Sequence, residues 1–424
     1  MSVVTLDRRT WAVDGTTARV TTVRHMRFDA RYHADPSAVM SELANDGPIH
    51  RFTAPHRVSG WMVTRFELAK TALTHPDLIK TPETMVGIRA RGAPKTLRQR
   101  MNSGLSSMML THMLASEPPD HKRLRRAAEA PFTPPAIAER IPRITTIADT
   151  LVDSMDPTGP VDMVAALAVP LPIQVISEIL GIPVRHSARI GRSSRVLGDV
   201  LSSGIGELNR AAWDFSRVIL TGLASRRFRR REDLFSTLID EIRDGTIRIH
   251  EAASIAALLL IAGHETTTSL IANTLLNLLS NPAELDRVRT APEALTATIE
   301  ETLRIDPPQS TTTLRIATRP LTLGGQQIAA GEWVIVSLLS VGHDPDATAI
   351  PGIFDSTRKP QRSLPFGHGI HFCLGAQLAR TEARIALTRL LTRYPDITLA
   401  TQDHPTWRPS VQFHQLSTLP VMLR

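Results

Sequence analysis

The sequence predicts a mainly α-helical protein with small β regions, folded as a single domain. Three observations predict it. Apolar residues recur at helical spacing in one long segment after another between about Ala136 and Ile305. Runs rich in β-branched and aromatic residues are short and confined to the stretches around Ile49 to Val63 and Thr313 to Ser337, punctuated by Gly and Pro. No Gly/Ser or acidic tract divides the 424 residues, although length alone would suggest about three domains at roughly 150 residues each. A hydrophobic share of 42% is ample for one deep core.

In chain order, Asp35 to Leu43 reads as an amphipathic helix, followed by a small edge hairpin at Ile49 to Phe52 and Trp61 to Val63 and a helix from Glu67 to Leu73. The stretch Thr81 to Ser116 has weak periodicity and carries Met101, Met108, Met109 and Met113, so it reads either as irregular packing or as an adaptable apolar wall for a ligand. Asp120 is expected to cap a helix beginning His121-Lys-Arg-Leu-Arg-Arg126, in which His121 and Arg125 share a face. Helices are then expected over about Ala136 to Asp153, Met163 to Leu180, Arg185 to Leu201, Ile205 to Arg226 and Leu234 to Arg243. The basic run Arg226 to Arg231 reads as the solvated end of a helix before a cap at Asp233.

The next helix, Ile249 to Leu279, has an anomalous centre, Ala262-Gly-His-Glu-Thr-Thr-Thr268. Glycine and successive β-branched residues are poor helix formers, and polar groups interrupt a helix that should be buried. A functional site explains this, and so does a capped break between two shorter helices. A further helix, Pro292 to Ile305, carries Glu301 and Arg304 on one face, a pairing that by itself is common on solvated helices. Strands follow at Thr313 to Ala317, Leu321 to Leu323 and Trp333 to Ser337.

The chain then reaches Phe366-Gly-His-Gly-Ile-His-Phe-Cys-Leu-Gly375, which holds its single cysteine, Cys373. One cysteine forms no internal disulfide, so any role beyond packing is that of a thiolate. Gly367, Gly369 and Gly375 would let the backbone lie close to a flat group, and a helix is expected from Leu374 to Leu391, placing Cys373 at its thiolate-favouring N-terminus. Taken alone, the cysteine fits better as a packed thiol.

The formal charge of +8 raises nucleic-acid binding, but the charge is dispersed and no aromatic-interleaved basic stripe accompanies it, so no nucleic-acid partner is expected. The N-terminus lacks an apolar core, and the longest apolar run, Ile255 to Gly263, is shorter than the roughly 20 residues a membrane span needs. A soluble, cytoplasmic protein without a membrane span is expected.

Together, Ala262-Gly-x-Glu-Thr266, Glu301-x-x-Arg304 and Phe366-x-x-Gly-x-His-x-Cys-x-Gly375, in this order, closely resemble the cytochrome P450 family, above all its soluble bacterial, natural-product-type members. The resemblance runs from about Arg27 onward, implying an N-terminal arm over residues 1–26 and one haem-thiolate domain over residues 27–424. It implies haem b (iron protoporphyrin IX) held between the long central helix and the helix after the cysteine loop.

On the cysteine side, Cys373 would be the iron ligand, with Phe366 packing beside the sulfur. His121, Arg125, Arg315 and His371 would hold the haem propionates, and Arg358 would join Glu301 and Arg304 in a structural brace. On the opposite side, Ala262 and Gly263 would open a groove for O2, Thr266 would hydrogen-bond the oxygen or its water, and Glu265 would link that site to solvent for proton delivery. Two departures stand out: Gly342-His343-Asp344 where Asn-Arg-Asp is common, and Ser363 where His is frequent.

The implied activity is a monooxygenase acting on a lipophilic small molecule with O2, its electrons coming ultimately from NAD(P)H through a ferredoxin and ferredoxin reductase. Expected pocket walls are Thr81 to Ser116, Ser202 to Gly206, Leu259 and Ala262, and Gln309 to Thr313. Alternatives on the same fold are oxidative C–C or C–N coupling and a peroxide-driven enzyme, and, outside catalysis, a helper protein, against which Cys373 speaks.

Overall fold

The computed structural model describes residues 22–55, 58–81, 111–198, 204–359, 363–401 and 405–424. Most of the expected Thr81 to Ser116 wall, with Met101, Met108 and Met109, lies outside the described residues, as do Ser202 and Ser203.

The amino-terminal part contains β1 (His25–Arg27), α1 (Ala30–Ala34), α2 (Pro36–Asp46), the hairpin β2 (Ile49–Thr53) and β3 (Ser59–Val63), α3 (Phe66–Thr74) and β4 (Leu78–Ile79). Asp29 and Asp35 cap the first two helices by accepting from the backbone N–H of Tyr32 and Ala38. The helical body follows: α4 (Asp120–Glu129), α5 (Pro134–Asp153), β5 (Val161–Asp162), α6 (Pro170–Leu180), α7 (Ser187–Gly198), α8 (Ile205–Arg226), α9 (Leu234–Arg243), α10 (Ile249–Ser280), α11 (Pro282–Thr290) and α12 (Leu295–Ile305). The remainder holds β6 (Arg315–Ala317), β7 (Leu321–Leu323), β8 (Gln326–Ile328), β9 (Trp333–Val336), α13 (Leu338–Gly342), α14 (Ala376–Arg393), β10 (Thr398–Leu399) and β11 (Pro420–Met422).

The largest sheet has the order β1-β2-β3-β9-β6-β4, so the early hairpin is completed by late strands. β1 pairs parallel with β2, and Thr22 N–H already donates to Asp46 O at 3.1 Å, so the described body reaches back to residue 22. Helix α10 is the axis of the helical body and packs against α6, α7, α8, α12 and α14. It is long and apolar enough to cross a bilayer, but 72% of its most apolar window is buried inside the protein. It also runs unbroken from Ile249 to Ser280, so its polar centre is not a break between shorter helices.

Several expectations shift. Asp120 begins α4 instead of capping it, and its carboxylate binds Arg123 at 2.7 Å. The expected helix Met163 to Leu180 is interrupted by a π turn at Val164–Ala168, because Pro170 has no N–H to continue an α-helical ladder. Arg226 is 7% exposed and not solvated: it pairs with the cap residue Asp233 at 2.6 Å and donates to Gly181 O at 2.8 Å. The helix after the cysteine begins at Ala376, three residues beyond Cys373. Helices α11 and α13 were not foreseen, since Pro282 reads as a stop in sequence yet serves as the first residue of a new helix.

Candidate active site

The cysteine loop is shaped by its own backbone. Gly367 and Gly369 have φ of 78° and 72°, a region that side chains disfavour, and a Cβ on Gly369 would come within 2.9 Å of Thr74. Cys373 N–H donates to Phe366 O at 2.8 Å, closing the loop, and the Arg125 guanidinium of α4 donates to Phe372 O at 2.9 Å. The Arg380 guanidinium lies 4.3 Å from the centroid of the Phe366 ring and is held there by Glu300. The thiol is accessible yet ringed by protein. Burial pushes it above its ordinary value, with the Gly375 N–H and the charges of Arg125 and Arg380 only partly opposing this. The helix terminus therefore does not by itself yield a thiolate: α14 starts too late for more than one amide to reach the sulfur.

Beside the loop lies a buried polar socket. The rings of His121 and His371 meet edge to face at 4.8 Å, and among the described residues neither Nε2 makes a well-formed hydrogen bond, that of His371 having only Glu117 nearby at 3.5 Å. Arg315 is 4% exposed, and burial lowers it to about 10, so it remains a guanidinium cation at neutral pH. Three residues that sequence reasoning missed complete the socket. Lys80 is buried and held well below its ordinary value by desolvation and by Arg315. Burial lowers His112, like His371, to about 4, so both imidazoles are neutral at pH 7. Glu117 accepts from Lys80 N–H at 3.0 Å and stands 3.5 Å from His371 Nε2, and these partners outweigh burial and keep it below the usual carboxylate range. Arg125 reaches the cysteine loop instead, although its charge helps depress His121 after burial. Glu117 directly precedes Pro118-Pro119, a signal that could have been read; nothing local marks Lys80.

Behind the loop, Glu301 and Arg304 of α12 form a two-pronged pair at 2.7 and 2.8 Å, and Arg358 Nε lies 3.3 Å from Glu301. Arg304 also donates to the carbonyls of Pro351 and Ile353 at 2.8 and 3.1 Å and to Gly342 O at 2.5 Å. A Cβ on Gly342 would sit 1.8 Å from Arg304 O, so glycine is required where the family often has Asn. Arg358 takes the carbonyl of Ile350, a β-branched residue at φ 48°.

On α10, Ala262 is exposed and Thr266 half-buried, an accessible patch in an otherwise buried helix. Thr266 Oγ1 donates to Ala262 O at 2.6 Å. A Cβ on Gly263 would meet Ile176 of α6 at 3.2 Å, so its missing side chain serves helix packing. Glu265 is 2% exposed and is taken up by Ser194 and Arg195 of α7 and by Arg408. The expected wall at Gln309 to Thr313 is pinned to the C-terminal segment by Ser310 N–H to Gln412 O at 2.8 Å and Thr311 Oγ1 to Val411 O at 3.2 Å. That segment was not foreseen as a neighbour of the site.

Residues 215–417 match the family model for cytochrome P450. Cytochrome P450 107B1 of Saccharopolyspora erythraea is 38% identical over 402 residues, covering 93% of this chain and 97% of that protein. The chain is a cytochrome P450. The solved structure of the P450 monooxygenase TamI bound to tirandamycin C superposes with a TM-score of 0.86 at 32% identity, covering 94% of this chain and all of that one. The P450 enzyme CxnD, for C–S bond formation in chuangxinmycin biosynthesis, superposes at 0.85 with 31% identity, covering 96% and 98%.

A cytochrome P450 uses haem, and the residues present fit it. The two imidazole nitrogens without hydrogen bonds, the buried Arg315 cation and the buried donor Lys80, set against the single carboxylate of Glu117, are matched to a group with two carboxylates. Nothing lies within 4 Å of where a Cβ on Gly375 would stand, beside the thiol. His121, His371, Arg315 and Lys80 would hold the propionates, and Cys373 the iron.

Proposed function

We propose that this P450 monooxygenase hydroxylates a lipophilic natural-product-like molecule in the cytoplasm, using O2 and two electrons passed from NAD(P)H through a separate ferredoxin and its reductase. Bound haem, with Cys373 as its ligand, supplies O2 activation at its iron. The chain's own residues supply the rest. The accessible Ala262–Thr266 patch, with Glu265 buried behind it, is the observation that carries the reading, since a hydroxyl backed by a carboxylate is a fitting proton relay. Thr266 Oγ1 would hold a water or oxygen by hydrogen bonding, and Glu265 would resupply the proton from solvent water entering beside the partly exposed Arg195 and Arg408, whose guanidiniums balance its charge. The brace Glu301, Arg304 and Arg358 ties α12 to the irregular segment 342–355, which leads the chain toward the cysteine loop. Arg125 and the basic surface beside the loop would dock an acidic electron donor, so raising NaCl from about 50 to about 500 mM slows first-electron transfer several-fold.

A compound of the class carried by the tirandamycin-bound neighbour is the first choice of substrate. The test has two stages. The reduced, carbon monoxide-bound protein is expected to show the thiolate-ligated band; without it the enzyme reading fails. Compounds that shift the ferric spectrum are then turned over under 18O2. One labelled oxygen in the product supports hydroxylation. A product that has lost two hydrogens and gained no label supports oxidative bond formation, the second reading, which the likeness to CxnD favours.

A further inference from the structure

Glu265 is more deeply buried than any acid in the brace, and a carboxylate at that depth needs counter-charge. The charged and titratable groups that face it among the described residues come from three elements. His264 of α10 itself places Nδ1 3.6 Å from Oε1, Arg195 of α7 places Nε 3.9 Å from Oε1, and Arg408 places Nη1 3.6 Å from Oε2. Burial lowers His264, which is therefore neutral at pH 7, and Ser194 Oγ offers the nearest donor at 3.4 Å. Among the described residues, Arg195 thus stands against Oε1 and Arg408 against Oε2.

Arg408 is held by its own segment. Trp407 and Leu416 form an isolated bridge, Arg408 N–H donates to Gln415 O at 2.8 Å, and the guanidinium binds the Gln415 side chain. The neighbouring Trp407 ring stacks on His414 at 3.7 Å, and His414 O accepts from Asn273 of α10 at 3.1 Å. The same segment pins residues 309–313, the expected pocket wall, through Val411, Gln412 and Phe413. The Phe413 ring also rests against the end of α7, 3.1 Å from where a Cβ on Gly198 would stand.

We infer that Arg408 is a positioning residue for Glu265: it orients the carboxylate for proton delivery and ties that orientation to the segment against the 309–313 wall. At 3.6 and 3.9 Å the two guanidiniums exceed the range of about 2.7–3.2 Å for a direct hydrogen bond, so the hold is Coulombic and leaves the carboxylate free to turn. A ligand pressing on residues 309–313 bears on the backbone bonds to Val411 and Gln412, and through them on the guanidinium facing Oε2. Pocket occupancy and acid orientation are thereby linked. This inference rests on the relay role proposed for Glu265.

The test needs no substrate. Haem-loaded wild type, Arg408→Gln, Arg408→Lys, Glu265→Gln and the Glu265→Gln/Arg408→Gln double variant are supplied with electrons by a plant-type ferredoxin and its reductase. Each is scored for the share of O2 taken to water, with four electrons and four protons, against peroxide, with two and two. The slowing of O2 consumption in D2O is measured alongside. Haem content and the carbon monoxide band report integrity. Arg408→Gln is expected to keep both integrity measures, lower the water share about three-fold and enlarge the D2O effect, with Arg408→Lys recovering at least half. The double variant should be no worse than Glu265→Gln alone. Unchanged values in Arg408→Gln while Glu265→Gln shifts overturn the role of Arg408 and leave the relay standing, as do additive losses in the double variant. Unchanged values in Glu265→Gln overturn the relay itself, and this inference with it.

Discussion

Glu301 and Glu265 are both buried acids facing arginine, yet they are held differently. Glu301 is gripped by Arg304 at 2.7 and 2.8 Å, by Asp355 N–H at 3.0 Å and by Arg358 at 3.3 Å. Among the described residues, the nearest partner of Glu265 is Ser194 Oγ at 3.4 Å. The first geometry is that of a fixed strut, with charge-assisted bonds at full strength. The second balances charge without fixing position. A carboxylate that braces a loop gains from being immobile, whereas one that hands on protons must be able to turn. A third acid, Glu382 of α14, is 1% exposed with Oε2 unpartnered among the described residues, and burial alone pushes it well above its ordinary 4.5, so it holds its proton to higher pH than a solvated carboxyl.

The comparison can be broken at several points. The largest effect is expected at the cysteine loop beyond the braced segment: Cys373→His should abolish both oxygenation and the thiolate-ligated carbon monoxide band, and retention of either would remove the loop from the chemistry. Arg304→Ala strips Glu301 of its main partner and frees three carbonyls, and should cost about 3–5 kcal/mol of stability with loss of bound haem, read by thermal melting and haem content. Arg195→Gln, at a site 42% exposed, should cost about 1 kcal/mol or less by the same melt; a cost equal to that of Arg304→Ala would show the cage to be as rigid as the brace.

The smallest effect is expected at Glu382. In the unfolded chain its carboxyl ionises near 4.5, whereas in the folded protein it remains protonated above that. The stability it contributes is therefore complete below about 4.5 and is lost as pH rises toward the folded value. Glu382→Gln carries no such loss, so its melting temperature minus that of the wild type should increase between about pH 5 and pH 8. A difference that shrinks with pH would mean that Glu382 is ionised in the fold.

Much of this was legible in the sequence, for identifiable reasons. Helices α8, α9 and α10 begin where expected because apolar spacing and the Asp233 cap are local properties. Glu301 and Arg304 meet because residues three apart on a helix are neighbours. The polar socket was half legible: His121 lies on a readable helix face, but Lys80 and Arg315 are brought together only by the antiparallel pairing of β4 with β6. The packing of Gly263 against α6 was not legible, because sequence cannot say which face of α10 meets that helix.

By itself, the sequence determined the single thiol, the polar centre of α10, the one-face pairing of α12 and the helical class, since each depends on residue chemistry or spacing along the chain. Only the tertiary structure decided which charges lose their water. It left two imidazoles unpartnered beside Lys80 and Arg315, locked Glu301, and left Glu265 between Arg195 and Arg408. Desolvation and charge pairing depend on which distant segments meet, and that is settled by packing rather than by any local run of residues.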